Sequence, residues 1–130
     1  MPFSILAVVA AAVSAFVIGG VWYSPLAFGR LWQKQVGLSD EQVASHIVRT
    51  FVVSGLASVV MALNLAAFIG PEPGVGFATA AGAAAGIGWV APALGMTYAF
   101  ARRSLGLWAI NAGYHAVSFT VMGVLIGLLQ

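Results

Sequence analysis

The sequence predicts an all-α integral membrane protein, a bundle of four transmembrane helices. Hydrophobic residues make up 62% of its 130 residues and charged residues only 6%. Soluble domains carry about 25% charged residues, so much of this chain's apolar surface must face lipid. Four apolar stretches are long enough to cross a bilayer core, which takes about 20 residues per helix. With their short loops they use up the chain, so we predict a single membrane domain over residues 1–130.

The first helix is predicted over residues 3–28. No basic residue precedes it, which argues against a signal peptide. Pro25 near its end would leave a helical carbonyl without its partner, so we expect a kink there. Small residues recur every fourth position along the helix, a pattern that allows close packing in lipid, at Ala7, Ala11, Ala15 and Gly19.

The second helix is predicted over residues 40–69, with its membrane part at 47–69. Ser39-Asp40-Glu41-Gln42 has the form of a capping box, in which the serine hydroxyl and the glutamine side chain satisfy free amides of the first turn. Gly70-Pro71-Glu72-Pro73-Gly74 ends the helix, because proline cannot continue it and glycine suits its C-cap.

The third and fourth helices are predicted over residues 77–100 and 107–129. The third begins with a run of alanine and glycine from Ala80 to Gly86, which allows neighbouring helices to come close. Pro92 predicts a kink in its second half. The fourth helix carries a further close-packing face near its end, at Gly123 and Gly127.

The pattern W-x-x-P occurs twice, at Trp22–Pro25 and at Trp89–Pro92, 67 residues apart in a chain whose half is 65 residues. This spacing raises the hypothesis of a tandem two-helix repeat. The alternative is coincidence between two proline sites, and the sequence leaves both open.

All lysines and arginines fall in the first and third connections or next to them: Arg30, Lys34, Arg49, Arg102 and Arg103. With four spans these connections share one side of the membrane, and the positive-inside bias places that side in the cytoplasm. We therefore expect a multi-pass protein with both termini outside the cytoplasm. The five basic side chains would anchor it among the lipids of the inner leaflet.

Polar side chains collect toward the predicted cytoplasmic ends of the helices. Asn111 and His115 are one helical turn apart on one face of the fourth helix. The side chains expected at a similar level are Tyr114, Tyr98, Tyr23, Ser24 and Ser54. A second polar stripe runs along the second helix at His46, Thr50, Ser54 and Ser58.

Two interpretations of these polar residues stay open. The first is a water-accessible vestibule that opens to the cytoplasm, since ionisable groups inside membranes indicate functional sites. The second is an interhelical network in which Asn111 and His115 hold the bundle together. In that case the serine and threonine hydroxyls bond to their own helix backbone.

Several functions are disfavoured by what the chain lacks. It has no cysteine, which excludes a disulfide, a thiolate nucleophile and a Cys-ligated metal. Its two histidines, on different helices and without a nearby carboxylate, make a poor metal site. No serine has a convincing triad partner, and five basic residues in short loops do not form the broad basic face that binds nucleic acid. We expect no enzyme activity, no cofactor, no metal and no nucleic-acid partner.

Six clusters carry a family resemblance: Trp22-Tyr23-Ser24-Pro25, Phe28-Gly29, Trp32, Gly37-Leu38-Ser39, Asn111-Ala112-Gly113-Tyr114-His115 and Met122-Gly123. Together they resemble the small bacterial membrane proteins grouped as domain-of-unknown-function family 1761. The resemblance spans nearly the whole chain. It implies a four-helix protein of the bacterial inner membrane, and it implies no particular activity.

Two functions are compatible with these patterns. The first is an oligomeric channel or transporter for a small solute or ion. Because one four-helix bundle is thin for a pathway, copies would assemble through the small-residue faces, and protonation of His115 at roughly pH 6.5 could gate the passage. The second is a non-catalytic scaffold or accessory subunit that packs against another membrane protein or binds anionic lipid.

Overall fold

Residues 3–130 are described by a computed structural model, and over this range the chain forms six helices and no strand. They are α1 (Ile5–Trp22), α2 (Gly29–Val36), α3 (Asp40–Ser45), α4 (Ile47–Ile69), α5 (Val75–Phe100) and α6 (Leu105–Leu129). Helices α1, α4, α5 and α6 are long and apolar enough to cross a membrane. The predicted all-α bundle with four membrane-spanning helices is confirmed.

Helix α6 lies at the centre of the bundle, with α1 and α5 packed along it. Helix α4 packs mainly against α1 and touches α5 and α6 only slightly. Helices α1 and α6 run antiparallel, because Ser4 bonds to Gln130 at one end of the pair and Trp22 bonds to Ile110 at the other. Helix α4 is therefore held on one side only, which leaves space between it and the rest of the bundle.

The five basic residues lie at one end of this bundle, which we call the basic end. It comprises α2, α3, the first turn of α4 and the turn at 101–104. The opposite end carries the start of α1, the loop at 70–74 and the end of α6. All positive side chains are therefore separated from the chain ends by the length of the spanning helices.

Most residues of the small-residue faces predicted from the sequence pack inside the chain. Ala7, Ala11 and Ala15 of α1 have no exposed surface. Between α5 and α6 the two backbones touch, because a Cβ added at Gly82 would overlap the carbonyl oxygen of Phe119, and one added at Gly123 would overlap that of Ala78. Small residues allow this approach in a bundle that gains no hydrophobic energy from helix contact. Most of these small residues are therefore used in packing within the chain, whereas Ala80 and Ala84 of the run on α5 are exposed.

The predicted kink at Pro25 is wrong, and so is the predicted extent of the first helix. Helix α1 ends at Trp22, and Pro25 lies in a turn beyond it. The turn is closed by bonds of 2.9 Å from the amide of Phe28 to the Trp22 carbonyl and from Gly29 to the Ser24 carbonyl. Proline lacks an amide hydrogen and pushes the preceding residue out of helical geometry, so the chain turns instead of bending.

Pro92 is accommodated by a change of helix type. Helix α5 widens into π-helical turns over Ala84–Val90 and returns to α-helical geometry at Ala91. Pro92 therefore occupies the first turn of the resumed α-helix, where its missing N–H is tolerated best. In place of a simple proline kink, the helix thus has a long π-helical stretch before Pro92. The sequence pattern did not indicate this stretch.

The two W-x-x-P patterns have different local structures. Trp22 ends a helix, and its indole Nε1 donates to the carbonyl of Ile110 at 2.9 Å. Trp89 lies inside the π-helical stretch, is 69% exposed and contacts Phe68. The local structure therefore gives no support to a tandem repeat.

The predicted second helix is two helices, α3 and α4, that meet at His46. The predicted capping box is present: the Ser39 hydroxyl accepts from the Gln42 amide at 3.1 Å, and the Gln42 side chain accepts from the Ser39 amide at 2.8 Å. Gly70 ends α4 with a positive φ of 84°. The break at His46 separates a short surface helix from the spanning helix.

Gln130 ties three helix ends together at the end opposite the basic residues. Its Nε2 donates to the carbonyls of Ala66 at 2.8 Å and Gly70 at 2.7 Å, and its Oε1 accepts from the amide of Ser4 at 2.9 Å. The side chain thereby joins α6 to the end of α4 and to the start of α1. It also satisfies backbone groups that helix termini leave unpaired.

We expect Gln130→Leu to lower the free energy of unfolding by about 1–3 kcal/mol, because three partly buried hydrogen bonds are lost. Unfolding in mixed detergent micelles, followed by circular dichroism, measures the change. Leu128→Ala is the control, since Leu128 is 63% exposed nearby. An equal loss in both variants would show that the Gln130 bonds contribute nothing specific.

Candidate functional site

A cavity of about 1190 Å³ lies between α1, α4 and α6, beneath the connection that carries α2 and α3. It reaches the surface at the basic end, where Arg30, Asp40 and Gln42 line it. The other half of the bundle is filled by a core that includes Met122 and Ile126, neither of which has exposed surface. The cavity therefore opens to water at the basic end and does not continue through the bundle as a pore.

The structure brings the predicted polar residues together around this cavity. Seven of them line it: Tyr23, Ser24, Ser54, Tyr98, Asn111, Tyr114 and His115. Pro25 lies on the same wall, and Pro92 does not line the cavity. Of the five basic residues, Arg30 lines it, and the exposed side chains of Lys34, Arg49, Arg102 and Arg103 lie elsewhere at the basic end.

Asn111 is the centre of a hydrogen-bond network that joins three parts of the bundle. The Tyr23 hydroxyl, just beyond α1, donates to Asn111 Oδ1 at 2.6 Å. Asn111 Nδ2 in turn donates to the Tyr98 hydroxyl of α5 at 2.8 Å. Burial raises the pKa of Tyr23 above that of a free phenol, and the neighbouring Tyr114 and Tyr98 add to the effect, so its hydroxyl keeps the proton that it donates.

Tyr114 and His115 occupy the deeper part of the same wall. The Tyr114 hydroxyl donates to the carbonyl of Ala15 at 2.6 Å, and its ring meets that of Tyr23 edge-on at 5.6 Å. The His115 ring packs between the rings of Tyr114 and Phe119, with centroid distances of 4.9 Å and 6.3 Å. Its Nδ1 is buried and has no hydrogen-bond partner among the described residues. Asn111 thus has a structural bonding role, whereas the buried Nδ1 of His115 contributes no such bond.

The polar stripe of α4 forms the opposite wall. All four residues of the stripe, which recur at every fourth position, line the cavity: His46, Thr50, Ser54 and Ser58. The Ser58 hydroxyl donates to the carbonyl of Ser54 at 2.8 Å, within its own helix. A hydroxyl bonded in this way offers little free hydrogen-bonding capacity to a ligand.

Sequence reasoning missed the cover of the cavity, because it treated most of the polar stretch before α4 as a loop. Helix α2 contributes Trp32 and Gln33, and the Gln33 side chain donates to Asp40 of α3 at 2.7 Å. The available signal was Gly37, which ends α2 in the left-handed conformation with φ 79°. A glycine that directly follows the last helical turn, with a basic residue such as Lys34 in that turn, is typical of a helix C-terminus.

Among residues 3–130 no three histidine, cysteine, aspartate or glutamate side chains come together in a way that could hold a metal ion. The polar groups on the cavity wall are phenols, side-chain amides, hydroxyls, imidazoles and an indole, with the guanidinium of Arg30 and the carboxylate of Asp40 at the mouth. These groups bind organic molecules and water by hydrogen bonds and ring contacts.

Comparison with known proteins finds one match. No curated protein and no solved structure matches the chain. A family model described as "Protein of unknown function (DUF1761)" matches residues 6–127, which is nearly the whole chain. The resemblance seen in the sequence is therefore confirmed, and the chain belongs to this family of proteins of unknown function.

Proposed function

We propose that this protein is a carrier of the bacterial inner membrane that takes a small molecule into the cavity from the cytoplasmic side. The observation that carries this proposal is the cavity of about 1190 Å³, open at the basic end and closed by the core at the other end. A vestibule that opens to water at one end of the bundle only fits a carrier that exposes its site to each side in turn. It does not fit an open channel.

The proposed orientation follows from the charges. All five lysines and arginines lie at the basic end, so the positive-inside bias puts the mouth of the cavity in the cytoplasm and both chain ends outside. Helix α1 begins and α6 ends at the end of the bundle opposite the basic end. Labelling of one exposed residue at each end therefore tests the whole topology.

The carrier proposal needs no second copy to complete its binding site, since one chain forms the whole cavity. The scaffold alternative is less well supported, because most of the small residues expected to dock a partner pack inside the chain. We also propose a binding and not a catalytic role, because most polar groups on the cavity wall are paired with one another or with backbone.

Two-sided accessibility of Ser54 tests the carrier proposal, because the chain has no cysteine of its own. We expect the Ser54→Cys variant to react with a membrane-impermeant maleimide quickly from the basic side and slowly, yet completely, from the other side. Lys34→Cys and Glu72→Cys, at exposed positions on opposite ends, report which side faces the reagent.

The buried Ser118→Cys variant is the negative control, since Ser118 has no exposed surface. Reaction of the Ser54→Cys variant from the basic side alone would contradict a carrier and indicate a static pocket. Labelling of Lys34→Cys, and not of Glu72→Cys, in intact cells would reverse the proposed orientation.

A further inference from the structure

The cavity is elongated along the direction of the lipid chains. Its wall on α4 runs from His46 to Ser58, which spans about 18 Å at ~1.5 Å per residue. This is more than half of a bilayer's hydrocarbon core of about 30 Å. Pockets for small molecules measure about 300–1,000 Å³, so a cavity of about 1190 Å³ is larger than an ion or a small polar solute requires.

The deep part of the cavity offers few free polar groups, of which the buried Nδ1 of His115 is one. Tyr23, Asn111 and Tyr98 bond to one another, and the hydroxyls of Tyr114 and Ser58 bond to backbone carbonyls. A polar solute placed there would lose its bonds to water without gaining equivalent ones, which is unfavourable. An apolar chain loses nothing by the same transfer.

Apolar side chains complete this deep part. Phe16 and Val17 of α1, Phe51 of α4 and Leu94 of α5 line it from three sides. Phe16 and Phe51 meet edge-on at 5.9 Å where α1 and α4 cross. These side chains form a surface for aliphatic groups.

The mouth of the cavity has a different character. Arg30, Gln42 and His46 line it, and Asp40 accepts a hydrogen bond from Gln33. The basic end as a whole carries five basic residues against the two acids of α3. This excess of positive charge at the basic end favours an anionic group at the mouth, where Arg30 and the carboxylate of Asp40 both line the cavity.

Helices α4 and α5 leave access from the membrane. They touch only slightly, yet Thr50 and Ser54 of α4 and Leu94 and Tyr98 of α5 all line the same cavity. The space between these helices therefore faces the lipid as well as the mouth. A molecule with an apolar chain can enter without its chain crossing water.

We propose that the cavity binds a single-chain anionic amphiphile, with its carboxylate or phosphate head beside Arg30 and Gln42 and its chain along Phe16, Phe51 and Leu94. This inference rests on the proposed function, since it names the class of molecule that the carrier would take. A fatty acid and a lysophospholipid share this chemistry.

The test uses lysophosphatidylglycerol with a photoreactive diazirine in its acyl chain, bound to the full chain in nanodiscs of unlabelled phosphatidylcholine. After irradiation, mass spectrometry locates the cross-links. We expect saturable labelling of peptides that contain Val17 and Phe51. Unlabelled lysophosphatidylglycerol or palmitate should compete, and the stronger competitor identifies the preferred head group. Competition by glycerol phosphate alone would overturn the amphiphile class.

Gly20→Phe blocks the cavity, because Gly20 lines it and an added Cβ meets nothing within 4 Å. We expect this variant to lose at least about tenfold in cavity labelling. Gly76→Phe is the matched control, a glycine with equal free space that does not line the cavity, and it should label as the unaltered protein does. Arg30→Gln should weaken binding of the anionic probe about tenfold and leave the labelling by an uncharged monoacylglycerol probe unchanged.

Cross-links spread over lipid-facing residues such as Trp89 and Met96, and unchanged by Gly20→Phe, would overturn the proposal. Should Gly20→Phe lose its monodisperse state, Gly20→Leu replaces it. Failure of this inference is separate from failure of the carrier proposal. If the Ser54→Cys variant reacts from both sides but the lipid probe gives no saturable labelling, the protein is a carrier for another ligand. If the probe labels saturably but the Ser54→Cys variant reacts from one side only, the protein binds the amphiphile and does not transport it.

Discussion

Gly82→Leu is expected to prevent α5 and α6 from packing together. A Cβ at this position would overlap the carbonyl oxygen of Phe119 and come within 3.0 Å of the Gly123 Cα. Both of these atoms belong to the backbone of α6, so no side-chain rotation relieves the overlap. The helices must separate along the largest interface of the bundle. Overpacking costs about 1–3 kcal/mol and more when backbones must move, so we expect a loss of at least about 3 kcal/mol.

Gly76→Leu is the control for this prediction. Gly76 lies in the same helix, and a Cβ there meets nothing within 4 Å. Steady-state abundance in membranes and unfolding in mixed micelles measure the two variants side by side. We expect Gly76→Leu to match the unaltered protein. Comparable stability of Gly82→Leu would mean that α5 and α6 do not touch as closely as described.

Asn111→Leu is expected to disconnect α1, α5 and α6 at the basic end. The variant removes the bond from Tyr23 and the bond to Tyr98, and it leaves both phenol hydroxyls without their partner. Interhelical hydrogen bonds in membrane proteins contribute about 0.6 kcal/mol on average and up to about 1.7. Two bonds and two unpaired hydroxyls give an expected loss of about 1–3 kcal/mol in the free energy of unfolding.

Asn64→Leu provides the comparison, because Asn64 is exposed on α4 and donates only to the carbonyl of Val60 in its own helix, at 2.9 Å. Its replacement removes a polar group from a lipid-facing surface, so stability should hold or rise. The double variant of Asn111→Leu with Tyr98→Phe should lose less than the sum of the two single variants. Strict additivity would argue against a shared network.

Much of the architecture could be predicted because it depends on local patterns. The length of the apolar stretches determined the four spans, and the Ser39–Gln42 spacing determined the start of α3. The polar residues that line the cavity could be proposed because helical periodicity brings Asn111, Tyr114 and His115 to neighbouring positions on α6.

The parts that could not be predicted depend on tertiary contacts. The π-helical stretch of α5 has no sequence signature. It lies where Gly86 meets the backbone of α6, so closely that an added Cβ would be 2.8 Å from the His115 carbonyl oxygen. The size of the cavity follows from the packing of α4, which lies mainly against α1. The spacing of residues along the sequence does not show which helices pack together. The turn at Pro25 depends on Gly29, since a Cβ there would overlap the Tyr23 carbonyl.

The central position of α6 has a consequence for how the protein is made. Helix α6 leaves the ribosome after the other three spans, supplies Met122 and Ile126 to the core and meets both α1 and α5. The earlier spans therefore enter the bilayer with the faces that pack on α6 uncovered until α6 has been synthesised. A quality-control protease that recognises loosely associated membrane helices would find its substrate in every chain that stops before α6.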